Sequence, residues 1–296
     1  MRFHDQLFQY IASGLTTGAI YALLAVGFVA IYKVTDVINF AQGESAMLGA
    51  LLMVTLRGQM ALSLVPAFVL TVVVVAVVGA ALYRLALWPA RNTPQVTTII
   101  ITVGASIVIR GLALVAWGTD SYPLAAFTPG RSLRLLSAVV PLQSLWVLGT
   151  TFISVAGLYL FFQHTRLGRA VRACAVNRLA APLMGINQRR MATLTFALGS
   201  ALGAVGGAVI APITFATYDM GAMLGLKGMV AAMLGGMTSS PAAMAGGFLL
   251  GVLEAMGAGL ISSGAKNAIA FAILLILLFF RPGGLTKIRL DAHSGL

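Results

Sequence analysis

Charge is what this chain has least of. Asp, Glu, Lys and Arg make up 9% of its 296 residues, against roughly 25% in an ordinary soluble domain. With 59% hydrophobic residues and a mean hydropathy of +0.98, most of the chain is not built for a water-exposed surface. Cysteine occurs once. Cys174 alone excludes an internal disulfide and a cysteine-based metal site, and it is expected to be a small residue on a loop helix. The three histidines, His4, His164 and His293, fall at termini or in loops, so no metal site is expected. There is no G-x-x-x-x-G-K-[ST] phosphate loop, so any ATP chemistry has to come from another chain. Paired carboxylates, H-E-x-x-H, and Ser/Lys or Cys/His constellations are lacking at membrane depth, which argues against catalysis by this chain. Acids are the scarcest of all, seven against nineteen Lys and Arg, for a net charge of +12. The bases lie in short loops between apolar runs, where the positive-inside rule puts them, so nucleic acid is not the expected partner.

What is present is a series of apolar runs. Leu7 to Tyr32 is 26 residues without a charged side chain, more than the ~20 that span a bilayer's hydrocarbon as a helix. It is too long for a cleaved signal peptide and is expected to be retained. Further spans are expected at 37–56, 61–83, 96–117, 143–163, 191–212 and 266–280, with a glycine-rich region at 221–260. The fold expected is therefore an all-α polytopic membrane protein of about eight transmembrane helices, some broken or re-entrant. It forms one domain over residues 1–296.

Segment 84–95 holds two arginines, and segment 164–190 holds six, with no acid in either. The tail holds Arg281, Lys287 and Arg289 against Asp291. The K/R rule places all three inside, and 118–142, with Pro123, Pro129 and Pro141, outside. Region 221–260 must then cross an even number of times, as two short crossings broken near Thr238–Pro241 or as a re-entrant hairpin. The side of the N-terminus depends on whether 37–56 crosses or re-enters. Glycines cluster at Gly199, Gly203, Gly206 and Gly207 and at Gly246, Gly247 and Gly251, where small residues let helix backbones approach closely.

Polar groups within the spans are few. Asn39, Gln42 and Glu44 fall within two turns, after the first span and inside a second apolar segment. Such groups are expensive in lipid unless they face protein or water. Asn39 is expected to cap a half-helix, with Glu44 in its first turn facing the favourable end of the dipole. The cluster reads either as a clasp that fixes a helix break or as a contact for a translocating solute. Arg110, Lys227 and Glu254 are the other charges at depth; Lys227 and Glu254 flank 221–260 and are expected on opposite sides of the membrane. In 164–190, Arg166, Arg169 and Arg172 recur every three residues. Asn177-Arg178 and a Gly185-Ile186-Asn187 turn follow. A lipid-anchored loop is one reading; the apolar Leu179, Leu183 and Met184 favour the other, a docking helix for a cytoplasmic motor subunit.

Residues Gly14–Ala50 resemble the N-terminal signature of permease subunits of high-affinity branched-chain amino acid ABC importers. The matching residues are Tyr21-Ala22-Leu23, Gly27, Ile38 to Glu44 and Leu48-Gly49-Ala50. The resemblance continues through Arg169-Ala170 … Gly185-Ile186-Asn187, Leu226-Lys227-Gly228 … Leu234-Gly235-Gly236, and Phe271 … Arg281-Pro282-Gly283-Gly284-Leu285. Gln42 replaces a common histidine, and Lys266-Asn267 a frequent basic–Asp pair, which leaves the solute open among amino acids, urea, short amides and aromatic acids. The resemblance implies a permease in a bacterial cytoplasmic membrane, paired with a second homologous permease. Two cytoplasmic ATPases, carrying ATP and magnesium, and an extracytoplasmic solute-binding protein complete the importer, and no cofactor is implied in this chain. The substrate-path candidates are Asn39, Gln42, Glu44 and Lys227. The ATPase-coupling candidates are Arg166, Arg169, Arg172, Asn177, Arg178, Gly185 and Asn187. The alternative is a stand-alone secondary transporter or channel with Glu44 or Asp36 as its ion site.

Overall fold

The computed structural model describes residues 3–280, apart from 129, 131, 136, 137, 179, 238, 261 and 263. The tail from Arg281, its closing Arg-Pro-Gly-Gly-Leu motif, Leu179 and Thr238 lie outside the described residues. Eleven helices are described in that range. Six of them are at least 18 residues long and apolar enough to cross a membrane, and Met220–Leu234 is a shorter apolar helix, in keeping with an all-α polytopic fold of approximately the expected size.

The first helix, α1 (Phe3–Thr35), is the axis of the molecule. It is apolar all round, as a helix must be when protein surrounds it, and its apolar stretch is 89% buried. It stops at Asp36, which adopts the left-handed conformation (φ 57°). Asp tolerates that conformation because its short polar side chain bonds locally. The chain runs non-helical to Ala41, then enters α2 (Gln42–Met53), which continues as a π-helical turn over Val54–Gln59. The expected break therefore exists, but Asn39 does not cap α2 as expected. Its Oδ1 accepts from Ala41 N (3.2 Å), and no side chain caps the helix. The freed carbonyl of Ile38 accepts from Thr102 Oγ1 (3.2 Å), as backbone at membrane depth requires.

Next come α3 (Leu64–Leu82, with a π-helical turn to Leu87), α4 (Gln95–Trp117) and α5 (Leu142–His164). The apolar stretches of α4 and α5 are only 17% buried, so both line the periphery. Between them Leu133–Leu135 (β1) and Ala138–Val140 (β2) pair antiparallel, a small departure from an all-helical chain. Beyond α5 lie α6 (Arg166–Val176), the single turn α7 (Ala180–Leu183), the second buried axis α8 (Gln188–Thr214), α9 (Met220–Leu234), α10 (Ser240–Leu260) and α11 (Ala265–Phe280).

Hydrogen bonds fix which ends share a face. Asp36 meets Gln95 Nε2 (3.4 Å) and Arg178 Nη1 (3.2 Å) at the arginine-rich face. At the other end of α4, Trp117 Nε1 donates to Thr55 Oγ1 (2.8 Å). Segment 36–55 thus runs the length of α4 and crosses rather than re-enters. Gln9 exchanges two hydrogen bonds with Val139 of the hairpin (3.1 and 2.8 Å), placing the start of α1 on the far face. Tyr10 OH donates to Gly259 O there (3.3 Å), while Ser239–Pro241 share a cavity with Lys33 and Arg172 at the arginine-rich end. Region 221–260 is therefore two crossings, with Gly236 in the left-handed conformation (φ 78°) in the turn between them.

Close backbone approach holds these helices together. A Cβ on Gly251 would stand 2.4 Å from the Cα of Gly18, between α10 and α1. A Cβ on Gly49 would stand 2.4 Å from the Ala204 carbonyl, between α2 and α8. Lipid tails are as apolar as leucine, so packing of this kind supplies the association that a hydrophobic drive supplies in water.

Candidate functional site

Three groups of polar residues stand out against the apolar body. The first is built on the break between α1 and α2. Asn39, Gln42 and Glu44 are all buried, at 0–1% exposure. Gln42 lies between α1 and α8, where its Nε2 donates to Gly199 O (2.7 Å). Gly27 of α1 leaves room for it; a Cβ there would stand 2.5 Å from that nitrogen. Glu44 turns the other way, towards α4. Its Oε1 accepts from Ser106 Oγ (2.8 Å) and pairs with Arg110 Nη2 (2.6 Å). Its Oε2 has no hydrogen-bond partner among the described residues and lies against Gly221 of α9. The sequence motif alone does not join Ser106 and Arg110 to the cluster. Their spacing, four apart on one helix face, together with the rarity of acids able to balance a membrane arginine, is the signal that could have found them.

The second group overturns an expectation. Lys227 of α9 and Glu254 of α10 do not lie on opposite sides of the membrane. The Lys227 ammonium pairs with Glu254 Oε1, and both side chains are almost fully buried. The two helices are antiparallel, and a 27-residue separation folds back on itself. Tyr21 of α1 completes the group, its hydroxyl donating to Glu254 Oε2 (2.6 Å) and its ring centroid 5.7 Å from the ammonium. Beside it a cavity of about 400 Å³ is lined by Gln9, Ser13, Thr17, Tyr21 and Lys227, at the end of the molecule where α1 starts. Breaking a buried pair strands a charge, whereas the intact pair is nearly neutral to stability. Both pairs therefore place ionic groups at depth without net charge.

The third group is the arginine-rich segment. Thr165 caps α6, its Oγ1 accepting from Gly168 N (2.9 Å). Gly168, Val171 and Cys174 form the buried face, and Arg166, Arg169 and Arg172 are exposed on the opposite side. Asn177 Oδ1 accepts from Ala180 N (3.0 Å) to start α7. Gly185 is left-handed (φ 77°), and Asn187 Oδ1 accepts from Arg190 N (3.1 Å) to cap α8. Val176, Leu183 and Met184 are exposed apolar residues beside the arginines. Arg172 Nη1 also donates to Gln163 Oε1 at the end of α5 (2.7 Å), Arg189 lies over the Trp88 ring (5.1 Å), and Arg178 turns inward. It pairs with Asp36 and donates through Nη2 to Tyr32 O (3.3 Å), so a cation sits on the C-terminal carbonyls of α1, the end a helix dipole favours for positive charge. The segment thus grips the central helix where the chain breaks towards Asn39–Glu44. Burial pushes the Cys174 thiol above its ordinary range, partly offset by the nearby Arg178 charge. No group of three or more His, Cys, Asp or Glu able to hold a metal occurs among the described residues.

Residues 10–279 match the family described as branched-chain amino acid transport system / permease component. The chain is 35% identical over 291 residues to the high-affinity branched-chain amino acid transport system permease protein BraD of Pseudomonas aeruginosa, covering 94% of each. It is 32% identical over 293 residues to the corresponding protein LivH of Escherichia coli K12, again covering 94% of each. Among solved structures, PsaBC from Streptococcus pneumoniae in complex with Fab aligns with a TM-score of 0.46 at 15% identity, over 96% of this chain and 93% of that one.

Proposed function

The chain belongs to the family of branched-chain amino acid transport system permease components, and from that premise we propose that it forms half of a path for branched-chain or related amino acids through a bacterial cytoplasmic membrane. A second homologous permease supplies the other half. Two cytoplasmic ATPases supply the energy by hydrolysing ATP with magnesium, and an extracytoplasmic binding protein delivers the solute. The permease domain is one unit, with 164–190 as its cytoplasmic coupling segment and Arg166, Arg169 and Arg172 as the docking face. Asn177, Gly185 and Asn187 shape the turns that hold it.

The observation that carries this reading is the grip of Arg178 on the end of α1, within a segment that also displays Arg166, Arg169 and apolar Val176, Leu183 and Met184 on its surface. Such a surface suits an acidic groove on a partner, where complementary charge fixes register and specificity. A push on α6 reaches Asp36 through one ion pair, and from there the break that positions Asn39, Gln42 and Glu44. Lys227 lines the cavity near the outer face and belongs to the same route.

Reconstitution tests this. With all partners in liposomes, leucine uptake is expected to require ATP and the binding protein. Uptake of leucine by this chain alone, without ATP, would instead establish the stand-alone carrier.

A further inference from the structure

A further cavity, of about 240 Å³, lies between α1, the break, α4 and α9. Its walls are Phe28, Phe40, Ile107, Leu226 and Met229, and its one charged lining residue is Arg110. Arg110 lies fifteen residues into α4, about 22 Å from its start. Its side chain is 32% exposed although Nη2 is held by Glu44 and Ser106; its Nε is buried, without a hydrogen-bond partner among the described residues. A guanidinium that is partly bare at this depth does not face hydrocarbon; it faces protein or a water-filled route.

We propose that this cavity binds the solute in transit, taking the carboxylate of an apolar amino acid on the free edge of Arg110 and its side chain against Phe28, Phe40, Leu226 and Met229. The inference rests on the permease reading above. Three features carry it. Guanidinium forks match carboxylates in two parallel hydrogen bonds. The volume is below the ~300–1,000 Å³ of sites that hold drug-sized ligands, and the lining is apolar with one oriented polar group. The Glu44–Arg110 pair is neutral, so a zwitterion adds no net charge to the site, whereas a simple anion does. Gly225 lines the cavity, and a Cβ there would already crowd Gly43 at 3.0 Å.

The test places a cysteine at Leu226 in the full importer complex in nanodiscs, with Cys174 buried and silent. A charged, water-soluble methanethiosulfonate is expected to label Leu226→Cys, read by the mass of this chain. Millimolar L-leucine is expected to slow labelling at least threefold and isoamylamine, which lacks the carboxylate, not at all. The combined change Glu44→Gln and Arg110→Gln removes the pair without stranding a charge; it should label normally and lose protection. If that variant does not assemble, Arg110→Lys keeps the charge but loses the fork, and protection should fall at least threefold. No labelling, equal protection by isoamylamine, or protection that survives these changes overturns the proposal. Protection by 4-methylpentanoate but not leucine keeps the carboxylate site and overturns the amino acid reading of the importer.

Discussion

Glu44 sits at 1% exposure with one oxygen held by Ser106 and Arg110 and the other unpartnered. From the sequence, neutralising it looks harmless, because a glutamine keeps its shape. Arg110 reverses that expectation: Glu44→Gln leaves a cation at membrane depth without its counter-ion. The expected cost is about 1–3 kcal/mol, seen as a lower thermal midpoint of the purified complex. Adding Arg110→Gln should recover most of it, since the coupling belongs to the pair and a double-mutant cycle isolates it. An unchanged midpoint in Glu44→Gln alone would show that the pair contributes nothing. Cys174 gives a second residue-scale prediction. It is fully buried and its thiol is pushed up, so less thiolate is present at pH 7–8 than in a free cysteine. Iodoacetamide should leave the folded chain unmodified and alkylate it only after denaturation. The sequence made the polar residues easy to find, because so few interrupt the apolar runs. It did not pair them. Lys227 and Glu254 flank region 221–260 in the sequence, and only the fold of α9 against α10, with Tyr21 reaching across from α1, brings them together.

At the scale of elements, the glycines divide by what they face. A Cβ on Gly207 would stand 1.8 Å from the Ala46 carbonyl, an α2 backbone atom that cannot turn aside. Gly207→Ala is expected to force α8 from α2 and to cost at least the 1–3 kcal/mol of an overpacked core, read as loss of monodisperse complex on size exclusion. Gly149 has nothing within 4 Å of its Cβ position, and Gly149→Ala should behave as wild type. If both variants behaved alike, the close packing of α2 on α8 would be wrong. The break after α1 was legible, since Asn39, Gln42 and Glu44 follow a long apolar run. Its course was not. Whether 37–56 crosses depends on Thr55 meeting Trp117 at one end and Asp36 meeting Gln95 at the other, and no local pattern encodes such distant partners. Asp36→Asn tests the proposed link to segment 164–190. Asparagine also tolerates the left-handed backbone, so the turn survives while the ion pair to Arg178 is lost. Transport should fall several-fold per ATP hydrolysed, and an unchanged ratio would remove this pair from the transmission route.

For the molecule as a whole, the account is a division between a rigid interior and a displayed surface. Buried α1 and α8 form the axis, and α3, α4 and α5 turn apolar side chains outward at the periphery. At one end the arginines of α6 are exposed, Arg172 with a hydrogen bond to Gln163 at the end of α5 (2.7 Å), and exposed Val176, Leu183 and Met184 lie in the same segment. The six arginines without an acid in 164–190 announced this surface in the sequence, and α6 has the expected form. Its mechanical tie to α1 through Arg178 was not readable, because the partners are 142 positions apart. The most direct test of the whole account is the coupling ratio, solute moved per ATP hydrolysed, in the reconstituted importer carrying Arg169→Glu and Arg172→Glu. Both side chains are exposed, so insertion and folding should be normal while the reversed charges disfavour an acidic partner groove. The account predicts that the ratio falls at least tenfold with the complex still in the membrane. A ratio equal to wild type would contradict it and remove the arginine-rich helix as the element that couples ATP hydrolysis to transport.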